Sequence, residues 1–169
     1  MVKASIVRVV LSLAVSHKWP LCQLDVKNAF LNGILHETVY MEQLPSYVDP
    51  RHPLYVCKLK KKLYGLKQTP RAWFQRFSSF LLLLGFSCSH ADTSLFVFNR
   101  QDNLIYLLLY VDDIILIGNK YALINQFISQ LHSEFAVKDL GPLTYFLGLE
   151  ASSIPDGLFL SQVKYATDV

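Results

Sequence analysis

Two hydrophobic periods alternate along the chain. Near the start, Ile6, Val9, Val10, Leu13 and Ala14 fall on one stripe at helical spacing, with Arg8 and Ser12 off it. Residues 17–20, ending in Pro20, break that pattern. Cys22, Leu24 and Val26 then alternate with Gln23 and Asp25, which is strand periodicity and turns Asp25 away from its two apolar neighbours. Pro45, Pro50 and Pro53 mark a loop. A second helix is predicted from Thr69 as N-cap and Pro70 at the first helical position. Trp73, Phe77, Phe80, Leu81 and Leu84 form its apolar face and Gly85 ends it. Strands are predicted over residues 94–99, 104–111 and 114–117. A third helix is predicted over residues 121–135, with Tyr121, Ile124, Ile128, Leu131 and Phe135 in register, and Gly141-Pro142 stops any continuation. The C-terminal part reads as a hairpin: residues 144–150, a turn at Pro155-Asp156-Gly157, then residues 158–162. Consecutive strands without regular βαβ alternation predict an α+β fold, an antiparallel sheet with helices packed on one face.

Composition narrows the class. Of 169 residues, 52% are hydrophobic and only 17% charged, against about 25% charged in ordinary soluble domains. That excludes a disordered or low-complexity chain, and the apolar excess points to surface meant for a partner or a neighbouring domain. The first apolar run faintly resembles a secretory leader, but its helical stripe fits better. Residues 104–117 are very apolar, yet too short to span a bilayer and interrupted by two aspartates, so no membrane association is expected. Net charge is +3, which permits nucleic-acid binding without implying it. Cys22, Cys57 and Cys88 form no C-x-x-C pair. A zinc site or disulfide framework is therefore not supported, and a reducing intracellular compartment fits. The histidines His17, His36, His52, His90 and His132 lack ligand spacing.

The stretch from Leu107 to Ile117 places Asp112 and Asp113 between two strongly apolar runs. Buried mid-strand, either carboxylate would be an unpaired charge costing several kcal/mol, so a hairpin tip is the natural place for them. Adjacent carboxylates repel, and a divalent cation would relieve them; an ordinary Asp-Asp turn is the alternative. Asp25, at a strand end, could equally be a turn or helix cap. Together, a carboxylate on one strand and a pair on a neighbouring hairpin could converge on two magnesium ions, the apparatus of nucleotidyl transfer. Lys58, Lys60, Lys61, Lys62, Lys67 and Arg71 hold six of the 16 Lys and Arg residues, interleaved with Tyr55, Tyr64 and Trp73. That pattern suits a phosphate backbone and bases, or else a strand edge blunted by lysines.

In this order, QLDVKNAFLNG (residues 23–33), VYMEQ (39–43), VCKLKKKLYGLKQTPRAWF (56–74), YVDD (110–113), KDLG (138–141), YFLGLE (145–150) and LSQVKYA (160–166) make the chain resemble the reverse transcriptase domain of copia-type LTR retrotransposons. The resemblance runs nearly end to end. It implies a polymerase palm with partial fingers and no thumb: a single partial domain over residues 1–169, with a palm core over about 1–140 and a primer-grip-like hairpin over about 143–163.

By position in those motifs, the resemblance makes Asp25 and Asp112 metal-binding carboxylates, Asp113 a supporting third and the backbone carbonyl of Val26 a further ligand, for two Mg2+ ions with Mn2+ as substitute. Phe30 falls at the aromatic gate against a ribonucleotide 2′-hydroxyl. Lys27, Asn28, Gly65, Tyr110 and Val111 fall at the nucleotide, the last two beside the primer end. Tyr64 stands where retroviral relatives carry glutamine, so that contact is not carried over. The six basic residues, with Leu147 and Gly148 of the hairpin, face template-primer. Lys138 stands as a proton donor to pyrophosphate. Implied partners are an RNA or DNA template-primer, a deoxynucleoside triphosphate, and fingers, thumb and ribonuclease H domains of a polyprotein. Cytoplasmic particles would house an active element. Expected function is RNA-directed DNA polymerisation, with poor polymerisation by these residues alone. An inactive relic, or a domesticated nucleic-acid-binding or interaction module, is the alternative.

Overall fold

The computed structural model describes residues 3–32, 38–60, 69–155 and 157–162. They form two compact units: residues 1–28 with 78–169, and residues 29–77.

The first unit is built on a six-stranded antiparallel sheet. Its strands are β1 (Leu21–Val26), β4 (Ser87–Cys88), β5 (Leu95–Arg100), β6 (Asn103–Tyr110), β7 (Asp113–Gly118) and β8 (Val137–Gly141), in the order β4-β5-β6-β7-β1-β8. A three-stranded sheet follows, β9 (Tyr145–Phe146), β10 (Leu149–Ile154) and β11 (Gly157–Ser161), ordered β11-β10-β9. Two helices, α1 (Ala4–His17) and α3 (Tyr121–Glu134), lie in this unit, and α2 (Thr69–Leu83) runs into it from the second. The α+β class and the antiparallel sheet agree with the sequence reading.

The arrangement of helices does not. Both faces of the large sheet are covered. Leu108, Ile115 and Ile117 share a core with Val7, Val10, Leu11 and Ala14 of α1 and with Leu143, Phe146, Leu149 and Ala151 of the small sheet. On the other face, a Cβ on Gly118 would sit 3.4 Å from Ile124 of α3. Phe80 meets Phe135 edge-on at 5.3 Å, which brings the end of α2 beside α3. Central strands sandwiched in this way need apolar residues on both faces, and Ile114, Ile115, Leu116 and Ile117 are all fully buried.

Boundaries follow local chemistry. Gly85, at φ +93°, closes α2: its N–H donates to the Leu82 carbonyl and that of Phe86 to Leu81. Lys18, at φ 52°, ends α1 in the same way, with Trp19 donating to Ala14. The buried stripe of α1 is Val7, Val10, Leu11 and Ala14, whereas Val9 is 54% exposed. The predicted stripe is therefore out of phase, because this helix is apolar nearly all round and periodicity alone sets its phase poorly. The C-terminal hairpin is also corrected. Its first arm folds into a tight hairpin of its own, β9 on β10, and β10 then pairs with β11.

The second unit holds β2 (Tyr40–Glu42) paired with β3 (Val56–Lys58) and the loop between them. Gln43 fixes that loop, its Nε2 donating to the carbonyls of His52 and Tyr55 and its Oε1 accepting from Asp49 N–H.

Candidate active site

β1 carries Asp25 because Leu24 and Val26, at 0% and 1% exposure, take the opposite face. Asp25 pairs directly with Asp113 on β7 and, on its other side, with Lys138 on β8. Asp113 in turn pairs with Tyr110 on β6. Directly opposite residues of an antiparallel pair project to the same face, with Cβ atoms about 4.5–5.5 Å apart. Tyr110, Asp113, Asp25 and Lys138 therefore form one row across four strands.

Asp112 completes the group from the two-residue turn between β6 and β7. Its backbone carbonyl accepts the Val26 N–H at 2.8 Å, which ties the turn to the end of β1 beside Asp25. Val111, the other turn residue, sits at φ 57°. A β-branched residue in the left-handed region is strained, and such strain persists where the surroundings over-determine it. Burial pushes the Asp113 carboxyl above its ordinary range, and the charges of Asp112 and Asp25 push it further.

The chemistry of this donor set fits a hard cation. Three carboxylates with all-oxygen donors lie near one sheet end, and beyond the effect of burial the charges of Asp112 and Asp25 raise Asp113, a repulsion that a divalent ion would offset. Among the described residues, no three His, Cys, Asp or Glu side chains are drawn into a closed metal cluster. Asp25, Asp112 and Asp113 are thus neighbours in the fold without being held in ligating geometry.

The small sheet reaches the same row. Leu147 and Gly148, at φ 52° and 78°, make the β9–β10 turn, and Phe146 lies edge-on to Tyr110 with centroids 6.5 Å apart. Tyr110 and Val111 are 36% and 37% exposed. Lys138 is exposed on the edge strand. Lys27 is exposed, its N–H donating to the Ala136 carbonyl, and Asn28 follows at φ 52°.

The remaining predicted residues lie in the second unit or outside the described residues. Phe30 lies half-buried in a short helical turn (Ala29–Asn32) of the second unit. Lys58, Lys60 and Arg71 are exposed in that unit. Gly65, Lys61, Lys62 and Lys67 lie outside the described residues.

Sequence reasoning missed Gln23. It shares Asp25's face two positions earlier, is 5% exposed, and binds the backbone of the β8–β9 connection. The signal was a polar residue on the non-apolar side of an alternating strand. Alternation does not show that this side is covered as well, by α1 and the small sheet.

The whole chain, residues 1–169, matches the family model described as reverse transcriptase (RNA-dependent DNA polymerase). The chain is 49% identical, over 99% of its length, to the retrovirus-related Pol polyprotein from transposon RE1 of Arabidopsis thaliana, spanning 12% of that protein. It is 42% identical, over 97% of its length, to the corresponding polyprotein from transposon TNT 1-94 of Nicotiana tabacum, spanning 13% of it. A transposon Ty1-BR Gag-Pol polyprotein of Saccharomyces cerevisiae matches 92% of the chain at 27% identity, over 8% of its own length. The chain thus spans about an eighth of the length of the plant polyproteins it matches.

Proposed function

The chain belongs to the reverse transcriptase (RNA-dependent DNA polymerase) family, with copia-type Pol polyproteins as relatives, and from that premise we propose that it is the palm-bearing part of a retrotransposon polymerase. The reaction is transfer of a deoxynucleotide from its triphosphate to a primer 3′-hydroxyl on an RNA or DNA template. The observation that carries this reading is the row Tyr110–Asp113–Asp25–Lys138, with Asp112 tied to the end of β1 through Val26.

Asp25 and Asp112, with the Val26 carbonyl, would hold the metal, and Asp113 would support them. Two magnesium ions bound there, or manganese in their place, would lower the pKa of the primer hydroxyl and neutralise charge on the departing pyrophosphate. The chain's own residues bind and orient. Tyr110 and Val111 form the floor beside the primer terminus. Leu147 and Gly148 hold the primer strand from the neighbouring turn. Lys27, Asn28 and Gly65 contact the nucleotide, and Phe30 gates it against a 2′-hydroxyl. Lys138 keeps a proton available for pyrophosphate. Lys58, Lys60, Lys61, Lys62, Lys67 and Arg71 neutralise template-primer phosphates. Other domains of the polyprotein act as partners.

The test is single-nucleotide incorporation with protein in excess over a primer annealed to an RNA template, in magnesium. Slow incorporation by the wild type and none by Asp112→Asn supports the polymerase reading. Metal and nucleic-acid binding without incorporation would favour the non-catalytic module instead.

A further inference from the structure

Among the described residues, Gln23 is the one buried polar side chain that joins the strand of Asp25 to the small sheet. Its Nε2 donates to the Tyr145 carbonyl at 2.9 Å, and its Oε1 accepts the Thr144 N–H at 3.3 Å. The large sheet is irregular at this point. The β1–β8 register slips between Gln23 and Leu24, so that Gln23 faces Gly141 while Leu24 faces Asp139, with Leu140 as the extra residue. Gly141, at φ 77°, then turns the chain away toward β9, its N–H held by Asp139. Beyond that turn the ladder cannot continue, and the amide of Gln23 takes its place as a bridge.

What the bridge holds is specific. Thr144 also accepts from Ala151 N–H at 2.8 Å, and Tyr145 pairs with Glu150, so the clamped residues are the root of the β9–β10 hairpin. One residue on, Phe146 meets Tyr110, and Leu147-Gly148 forms the tip. On β1, Gln23 and Asp25 are two positions apart on one face. A single side chain thus links the carboxylate strand to the base of the hairpin turn that borders the Tyr110–Asp113 turn.

We infer that Gln23 is a positioning residue that sets the Leu147–Gly148 turn relative to Asp25 and so fixes where a primer terminus lies. The inference rests on the polymerase reading above. Gln23 touches no reacting atom. It acts by giving the connector two defined hydrogen bonds where an apolar side chain gives none, and a buried backbone group left without a partner is costly.

Two variants test it in the 169-residue chain. Gln23→Met keeps the length and removes both bonds; Gln23→Glu keeps only the acceptor for Thr144. Three readouts are compared: amide hydrogen exchange at Thr144, the magnesium-induced rise in melting temperature, and affinity for a fluorescent primer annealed to RNA. In Gln23→Met, the expected result is loss of Thr144 protection and about tenfold weaker primer-template binding, as two buried hydrogen bonds of ordinary strength predict. The magnesium response and β6–β7 protection should stay at wild-type levels. Gln23→Glu should keep Thr144 protected and bind with intermediate affinity. Wild-type affinity in Gln23→Met, beside measurable binding by the wild type, overturns the inference and leaves the polymerase reading standing. Joint loss of magnesium response and β6–β7 protection also overturns it, since Gln23 would then serve the fold alone. A wild type that binds no primer-template overturns both readings together.

Discussion

Asp25 and Asp113 face each other directly across the antiparallel pair of β1 and β7. Like charges in opposed positions are destabilising, and this pair lies at the end of a sheet whose next residues, Leu24 and Ile114, are fully buried. The fold therefore carries a cost at this point that packing elsewhere must offset, as sites built for ligands commonly do.

Replacing Asp113 should expose that cost. Burial first, then Asp112 and Asp25, raise its pKa in the folded state. A carboxyl with a raised folded pKa lowers stability as pH climbs from its unfolded value through the folded one. At neutral pH in EDTA, Asp113→Asn should melt a few degrees above wild type, and nucleotide incorporation should fall at least tenfold. The melting gain should shrink as pH falls from the raised folded value toward the unfolded one of about 3.9, and vanish well below it, where the carboxyl is protonated in both states. Thermal melts across pH check this.

Val111 should show the same trade. Its φ of 57° is one that glycine adopts freely and a β-branched residue does not. Val111→Gly should stabilise the folded chain by about 1 kcal/mol, part of the strain being returned as unfolded-state entropy. Chemical denaturation measures it. An unchanged midpoint would mean the turn tolerates valine without strain.

Asp92, in the first unit, responds to pH with the opposite sign. Asp92 is buried, and its carboxylate accepts N–H bonds from Lys3 at 2.8 Å and Ser94 at 2.9 Å. Burial raises its pKa, but these bonds outweigh burial and leave it below the usual value. The stabilisation is fully present above the unfolded carboxylate pKa and lost as pH falls through the lower folded one. Asp92→Ala should cost about 1–3 kcal/mol at neutral pH and lose that deficit in strong acid. Urea midpoints as a function of pH test both halves.

Much of this fold was legible in the sequence, and the failures share a cause. Helix α3, strands β5 to β7 and the glycine stop of α2 all follow from hydrophobic pattern and cap chemistry, because each has an apolar face, an unbroken apolar run or a single special residue. The stripe of α1 slipped because apolar residues surround that helix. β8 escaped notice because Val137 is its one buried apolar residue, on an edge strand whose outer side is polar. In the site, Asp25, Asp112 and Asp113 were readable from residue type and from their apolar flanks. The register that opposes Asp25 to both Asp113 and Lys138 was not, since pairing partners distant in sequence leave no local trace. Gln23 was hidden for the same reason: its partners, Thr144 and Tyr145, lie at the far end of the chain.

The central claim is that the carboxylates of Asp25, Asp112 and Asp113 form a functional site for divalent metal. It is tested most directly by titrating magnesium against the melting temperature of the wild type and of Asp112→Asn. A ligand that binds only the folded state raises its stability in proportion to the logarithm of concentration above Kd. A saturable rise of a few degrees is expected in the wild type, matched or exceeded by manganese, and none in Asp112→Asn. An equal rise in both proteins would place the metal elsewhere and contradict the assignment.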